Sequence, residues 1–253
     1  MNRTGAVFIA LSLGSLPLLA DDLPAPIVDV HLHALAADQQ GPPPLAFCLP
    51  LREWPAHDPA GPYVDTFMGL QKDPDQSVRD CENPVWSPET DEELTDRTLE
   101  IVERRNIIGV ASGSLTDVYR ERLPQQIIPG IMFSVGNNPP PIEELRAMIE
   151  SGDVQVIGEV TNQYDGITPD DPRFEPYLQL AEELDVPVGI HVGPGPPGVA
   201  YLFGPNYRAR LHSALTLEEI LIKHPRLRLY VMHAGWPLGD DMVALLWAHP
   251  QVY

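Results

Sequence analysis

The sequence predicts an α/β fold, a TIM-type (β/α)8 barrel that runs only as far as the start of its seventh strand. Three observations predict it. From residue 107 onward, apolar runs of strand length alternate with segments of helical period, an order that builds a parallel sheet covered by helices. The length of 253 residues suits one such barrel, which typically needs about 250. Residues capable of chemistry recur at the C-terminal ends of the strands, where barrels of this kind keep their sites.

The first twenty residues read differently. Arg3 is their only charge, an apolar stretch runs to Ala20, and Asp21-Asp22 follow, the pattern of a secretory signal peptide. The stretch is short for a membrane span, which needs about 20 apolar residues, and no other segment qualifies. The expectation is an exported chain, periplasmic or extracellular, with residues 21–253 as one domain. Ile27-Val28-Asp29-Val30 is the first strand, and His31-Leu32-His33 closes it. Residues 41–88 are rich in Pro, Gly, Asp and aromatics without periodicity, and so long an irregular connection reads as a loop over an active site. Ser87-Pro88 begins a helix in which Thr90-Asp91-Glu92-Glu93 has capping-box spacing, with Leu94, Leu99, Ile101 and Val102 as its buried side.

Strands then follow at 107–111, 127–135, 154–160, 186–192 and 227–233. Helices are expected at 115–122, 141–150, 172–184, 215–223 and 240–248, and Val252-Tyr253 looks like another strand starting. Pro141 opens its helix where a missing N–H costs nothing. Asp240 and Asp241 sit in a first helical turn, where acids favour the dipole.

Composition narrows the function classes. Apolar residues make up 43%, enough for a sizeable core, and the formal charge is −20. Such a chain is not a general binder of nucleic-acid backbones, which calls for a basic face, nor of anionic membranes. A small-molecule substrate in a pocket of its own remains the expected partner, and a homo-oligomer is left open. Cys48 and Cys81 are the only cysteines. In an exported chain they can form a disulfide across the Pro-rich stretch, or stay as two buried thiols. Neither belongs to a close-spaced pair, so a thiolate metal site is not expected.

The chemistry collects at strand ends. Side chains two apart on a strand point the same way, so His31 and His33 can grip one metal ion, for which imidazole is a common ligand. Taken alone, such a pair can equally be two loop histidines. Downstream, however, Gly158-Glu159, His191 and His233 end later strands in barrel order, and together they point to a metal site. Gly193-Pro194-Gly195-Pro196-Pro197-Gly198 lacks phosphate-loop spacing and reads as a rigid loop shaping the mouth. Arg208, Arg210 and His212 can meet an anionic substrate group or be solvated charges. Trp236 can form a pocket wall or simply pack. His57, His224 and His249 read as surface residues.

The order Val28-Asp29-Val30-His31-Leu32-His33, Ile157-Gly158-Glu159, Pro187-Val188-Gly189-Ile190-His191 and His233-Ala234-Gly235 resembles the metal-dependent amidohydrolase superfamily. Within it the chain is most similar to the amidohydrolase-related (amidohydrolase 2) group, which includes aromatic-acid decarboxylases, and it has TatD-like features. The resemblance implies a divalent cofactor, zinc by default, as one or two ions. His31 and His33 would bind the more buried ion and Glu159 would bridge. His191 and His233 would bind the second ion; with a single ion, His191 completes the first site, His233 meets substrate or the attacking water, and Glu159 stands behind the ligands rather than on the ion. It implies a hydrolase in which a metal-bound hydroxide attacks an amide, an ester or lactone, or a phosphoester. The alternatives are single-metal decarboxylation of an aromatic or unsaturated carboxylic acid, and a catalytically inactive fragment. The last arises because the superfamily's strand-eight Asp has no counterpart before Tyr253.

Overall fold

A computed structural model of the chain describes residues 25–39, 41–48, 56–69, 71–72 and 84–253. The expected signal peptide lies outside these residues, as does Cys81 of the expected disulfide. Six parallel strands form the main sheet in the order β1-β5-β6-β7-β8-β9. They are β1 (Ile27–His33), β5 (Ile107–Ser112), β6 (Ile127–Phe133), β7 (Val156–Val160), β8 (Val188–His191) and β9 (Leu229–Met232). Helices α2 (Asp91–Arg104), α3 (Thr116–Arg122), α4 (Ile142–Ser151), α5 (Glu175–Leu184), α6 (Glu218–Lys223) and α7 (Gly239–Ala248) alternate with them. Beyond α7, Val252 makes a parallel bridge to Leu229, in the place expected for the next strand.

The sheet is curled into a partial (β/α) barrel. Laid flat, its two outer strands would stand roughly 24 Å apart at the usual strand spacing. Instead the ring of His31 on β1 lies 4.9 Å from that of His233, just past β9. Alternation sorts the side chains. Val110, Val156, Tyr230 and Met232 pack inside the curl. Ile157, Val160, Val188, Ile190, Leu229 and Val231 face outward onto α4 to α7 in the largest core cluster. Ala111 and Ile127 meet Leu99, Val102 and Tyr119 from α2 and α3.

Two expectations change here. Part of the segment 41–88 is regular: β2 (Ala46–Cys48), β3 (Gln71–Lys72) and β4 (Pro84–Trp86) form a small antiparallel sheet, and α1 (Tyr63–Met68) joins it. Strands of two or three residues leave too little alternation to read. In α2, Thr90 accepts a hydrogen bond from the Glu93 N–H at 3.1 Å, while the Glu93 carboxylate reaches back to the Glu89 N–H. The buried stripe is Thr95, Leu99 and Val102, at steps of four and three. Ile101, expected inside, is 46% exposed, because it sits two residues from Leu99 and so on the opposite side of the helix.

His224 is also not a surface residue. It is only 4% exposed, with Nδ1 3.3 Å from Glu182 and Nε2 3.3 Å from Glu175. The two carboxylates reach it from α5, one at each end, so this histidine ties α6 to α5. A buried imidazole is tolerated there because both nitrogens have partners.

Room for Tyr230 inside the curl comes from two glycines on neighbouring strands. A Cβ at Gly158 would lie 3.0 Å from the Tyr230 hydroxyl, and one at Gly189 would overlap the ring itself. Gly189→Ala is therefore expected to lower the unfolding free energy by about 1–3 kcal/mol in urea titrations. Gly239→Ala, where a Cβ meets nothing within 4 Å, should change it by less than about 0.5 kcal/mol.

Candidate metal centre

Strand register delivers the site. His31 and His33 end β1 on its inner face, and the Asp29 carboxylate accepts the His31 backbone N–H at 2.9 Å. His191 ends β8 level with Met232 on β9, which puts His233 one step beyond. Glu159 comes from β7, between the two groups in strand order.

The five predicted residues meet. Oε2 of Glu159 lies 3.1 Å from His31 Nε2 and 3.0 Å from His33 Nε2, and the two Nε2 atoms are 3.0 Å apart. Oε1 of the same carboxylate lies 2.6 Å from His191 Nδ1. The His233 ring stands 4.9 Å from His31 and 4.4 Å from His191. Glu159 and His191 are 3% and 2% exposed, whereas His33 and His233 are open to solvent. The cluster therefore has a buried side at Glu159 and His191 and an open side at His33 and His233.

Charges in the cluster depend on one another. Burial opposes ionisation of Glu159, but hydrogen bonds with His191, His31 and His33 outweigh it and hold the carboxyl far below the usual range. Burial also disfavours a charged His31, yet the Glu159 hydrogen bond and the charges of Glu159 and Asp29 raise its pKa. His233 goes the other way. Burial and the neighbouring His191 and His31 push it down to about 4, so its imidazole is neutral at pH 7.

The donor set fits a divalent ion. Two imidazole nitrogens and a carboxylate oxygen converge at 3.0–3.1 Å, close to the roughly 3.3 Å between ligand atoms sharing a tetrahedral zinc. Donor atoms of His31, Glu159 and His233 also lie within 4.8 Å of one another. Imidazole with carboxylate suits zinc and its first-row neighbours.

The remaining predicted residues make no side-chain hydrogen bond or ion pair with this cluster among the described residues. One Arg208 Nη donates to the carbonyls of Pro205 and Tyr207 at 2.8 and 2.7 Å, tying the guanidinium to its own loop. Arg210 is exposed on the 3-10 turn Ala209–His212. Trp236, 65% exposed, follows the His233 turn. That turn is tight: His233, Ala234 and Gly235 have φ of 63°, 48° and 67°, a left-handed conformation that non-glycine residues seldom adopt. A Cβ at Gly193 would overlap that of His233, so the loop after β8 must carry glycine at this point.

Sequence reasoning missed the support. Gln163 donates to the Gly193 carbonyl at 2.7 Å and accepts the Gly193 N–H at 3.1 Å. The Tyr207 hydroxyl accepts the Gly195 N–H at 2.8 Å, donates to the Gly193 carbonyl at 3.0 Å and lies 2.7 Å from His212 Nε2. The Tyr164 ring lies 4.7 Å from His191. The only sequence signal was position: Asn162-Gln163-Tyr164 directly follows the strand that carries Glu159.

The amidohydrolase family model matches residues 28–253. The chain belongs to the amidohydrolase family. This family generally uses divalent metals and comprises enzymes acting on small molecules. Among solved structures, the amidohydrolase chain is similar to 4-oxalomesaconate hydratase from Rhodopseudomonas palustris, at 15% identity and a TM-score of 0.46, covering 88% of this chain and 68% of that one. It is also similar to 2,6-dihydroxybenzoate decarboxylase from Rhizobium, at 17% and 0.43, covering 88% and 69%. For an uncharacterized TIM-barrel protein from Bordetella bronchiseptica the values are 17% and 0.47, with 64% and 59% covered. The chain spans 59% and 65% of the length of that protein and of an amidohydrolase from Staphylococcus aureus. No curated protein matches. Among the described residues, no helix is long and apolar enough to cross a membrane.

His31 holds its proton more tightly than a free imidazole, so a divalent ion bound through it would release that proton. The apparent affinity for zinc, used as the probe ion, should therefore fall as pH is lowered below neutral. Calorimetry in buffers of different ionisation heat should show that release; binding without it would contradict the assignment.

Proposed function

We propose that this amidohydrolase is a metal-dependent hydrolase of a small molecule, with His31, His33, Glu159, His191 and His233 as its metal-binding set. The observation that carries the proposal is the single buried carboxylate shared between the His31–His33 clamp and His191. A buried carboxylate whose side-chain hydrogen-bond partners are all imidazoles makes little sense as packing, since it must be desolvated, and good sense as a ligand. A divalent ion held there supplies Lewis acidity, polarising a carbonyl or phosphoryl oxygen and acidifying water.

The chain's own residues do the rest. β1 directs His31 and His33 to one side, the Asp29 carboxylate fixes the backbone at His31, and Glu159 holds both Nε2 atoms. Glu159 stays ionised and balances positive charge. With a single ion held by the other residues, His233, neutral at pH 7 and on the solvent side of the cluster, keeps a ring nitrogen free to take a proton from attacking water and return it to a leaving group. The amide, ester, lactone or phosphoester specificity falls to the loops around the mouth.

One observation favours a second reading. Oε1 of Glu159 is engaged by His191 at 2.6 Å, which suits a one-ion site, and a one-ion site suits non-hydrolytic decarboxylation of an aromatic or unsaturated carboxylic acid. Metal content per chain, measured with product analysis on ester, lactone, amide, phosphoester and carboxylic acid substrates, separates the two. Hydrolysis should fall by at least about 10³-fold in His31→Ala/His33→Ala. Carbon dioxide release with one ion per chain would establish the second reading. Absence of any divalent metal would end both.

Export is proposed on residues 1–20. N-terminal sequencing of the mature protein should begin at Asp21, and retention of Met1 in a secreting host would refute it.

A further inference from the structure

Directly behind the metal centre, two buried polar atoms have no partner. One is Nε2 of His191, whose Nδ1 faces Glu159; the other is Nδ2 of Asn162. Both residues line the same small cavity, with Ile167, Ile190, Val192 and Leu211 among its walls. Asn162 is 3% exposed. The direction of its amide is settled, because Oδ1 accepts the Val135 N–H at 2.9 Å, leaving Nδ2 as the end without a partner.

An orphaned buried donor or acceptor costs about 1–3 kcal/mol, so two beside one cavity call for a bridging group. The space available to the centre of a water-sized sphere is about 10 Å³, about what a single water occupies. The surrounding walls are mostly apolar, and the Gln163 amide among them is already engaged by Gly193.

We propose that one buried water joins Asn162 Nδ2 to His191 Nε2, and that Asn162 is thereby a positioning residue for the proposed metal ligand. Water suits this place because it can either accept or donate. When His191 Nδ1 binds a metal, its Nε2 carries the proton, and the water accepts from both His191 and Asn162. When Nδ1–H donates to Glu159, the water accepts from Asn162 and donates to Nε2. The imidazole plane is held in both states. Asn162 acts beside Gln163, which clamps Gly193 two residues past the histidine. The turn after β7 thus holds the end of β8 from behind, while Glu159 of β7 holds it in front.

The water and its contacts stand on geometry alone; the effect on metal binding rests on the function proposed above. A high-resolution crystal structure of the metal-free protein should show an ordered water within hydrogen-bond distance of both nitrogens, and its absence overturns the bridge. Zinc affinity, measured by competition with a chromophoric chelator, should fall about 10–100-fold in Asn162→Leu, the usual effect of removing a partner that orients a ligand. Asn162→Asp keeps an acceptor for the Val135 N–H and can still take a hydrogen bond from the water, so it should bind zinc within about threefold of the parent. Parent-like zinc binding by Asn162→Leu overturns the positioning role. If the parent binds no zinc, the proposed function fails, while the crystal structure still decides the bridge.

Discussion

Everything at the top of this barrel turns on one ionised carboxylate kept out of water. Glu159 is 3% exposed, and a charge so placed is tolerable only if its oxygens are met by donors or by a cation. Its two oxygens face two different strands: Oε2 meets β1 through His31 and His33, and Oε1 meets β8 through His191. The carboxylate therefore acts as a crosslink inside the curled sheet. The same crowding of groups lowers the pKa of His233 and raises that of His31, dividing the histidines into one that prefers a positive partner's place and one that stays neutral.

Holding that geometry takes precision that strands alone do not supply. Glycines at 158 and 189 let the Tyr230 ring fill the interior below the site, and Gly193 lets the loop after β8 pass against His233. That loop is then pinned by Gln163 and Tyr207 rather than by regular structure. The site is thus built in layers: an apolar interior, a shell of imidazoles around one carboxylate, and a ring of amides and hydroxyls that fixes the backbone carrying them.

Much of this was readable from the amino-acid order, for a definite reason. Strand-end histidines and a glutamate on an α/β alternation point to one face because side-chain direction repeats every two residues and barrels keep their sites at one end. All five cluster members were legible in that way. Periodicity failed where it had too little length to act, as in the two- and three-residue strands between 46 and 86. It also failed where burial depends on a distant partner. Nothing near His224 in the chain announces that Glu175 and Glu182 will enclose it, and nothing near Asn162 announces the back of His191.

Local order along the chain was therefore sufficient for the alternation after residue 107, the barrel class and the five residues that cluster, since each follows from patterns spanning a few residues. The approach of His31 to His233 across the curled sheet was decided only in three dimensions, as were the sharing of Glu159 between two strands and the buried polar groups behind His191. Those features depend on sheet curvature and on contacts between residues 30 to 200 positions apart, and no local periodicity encodes them.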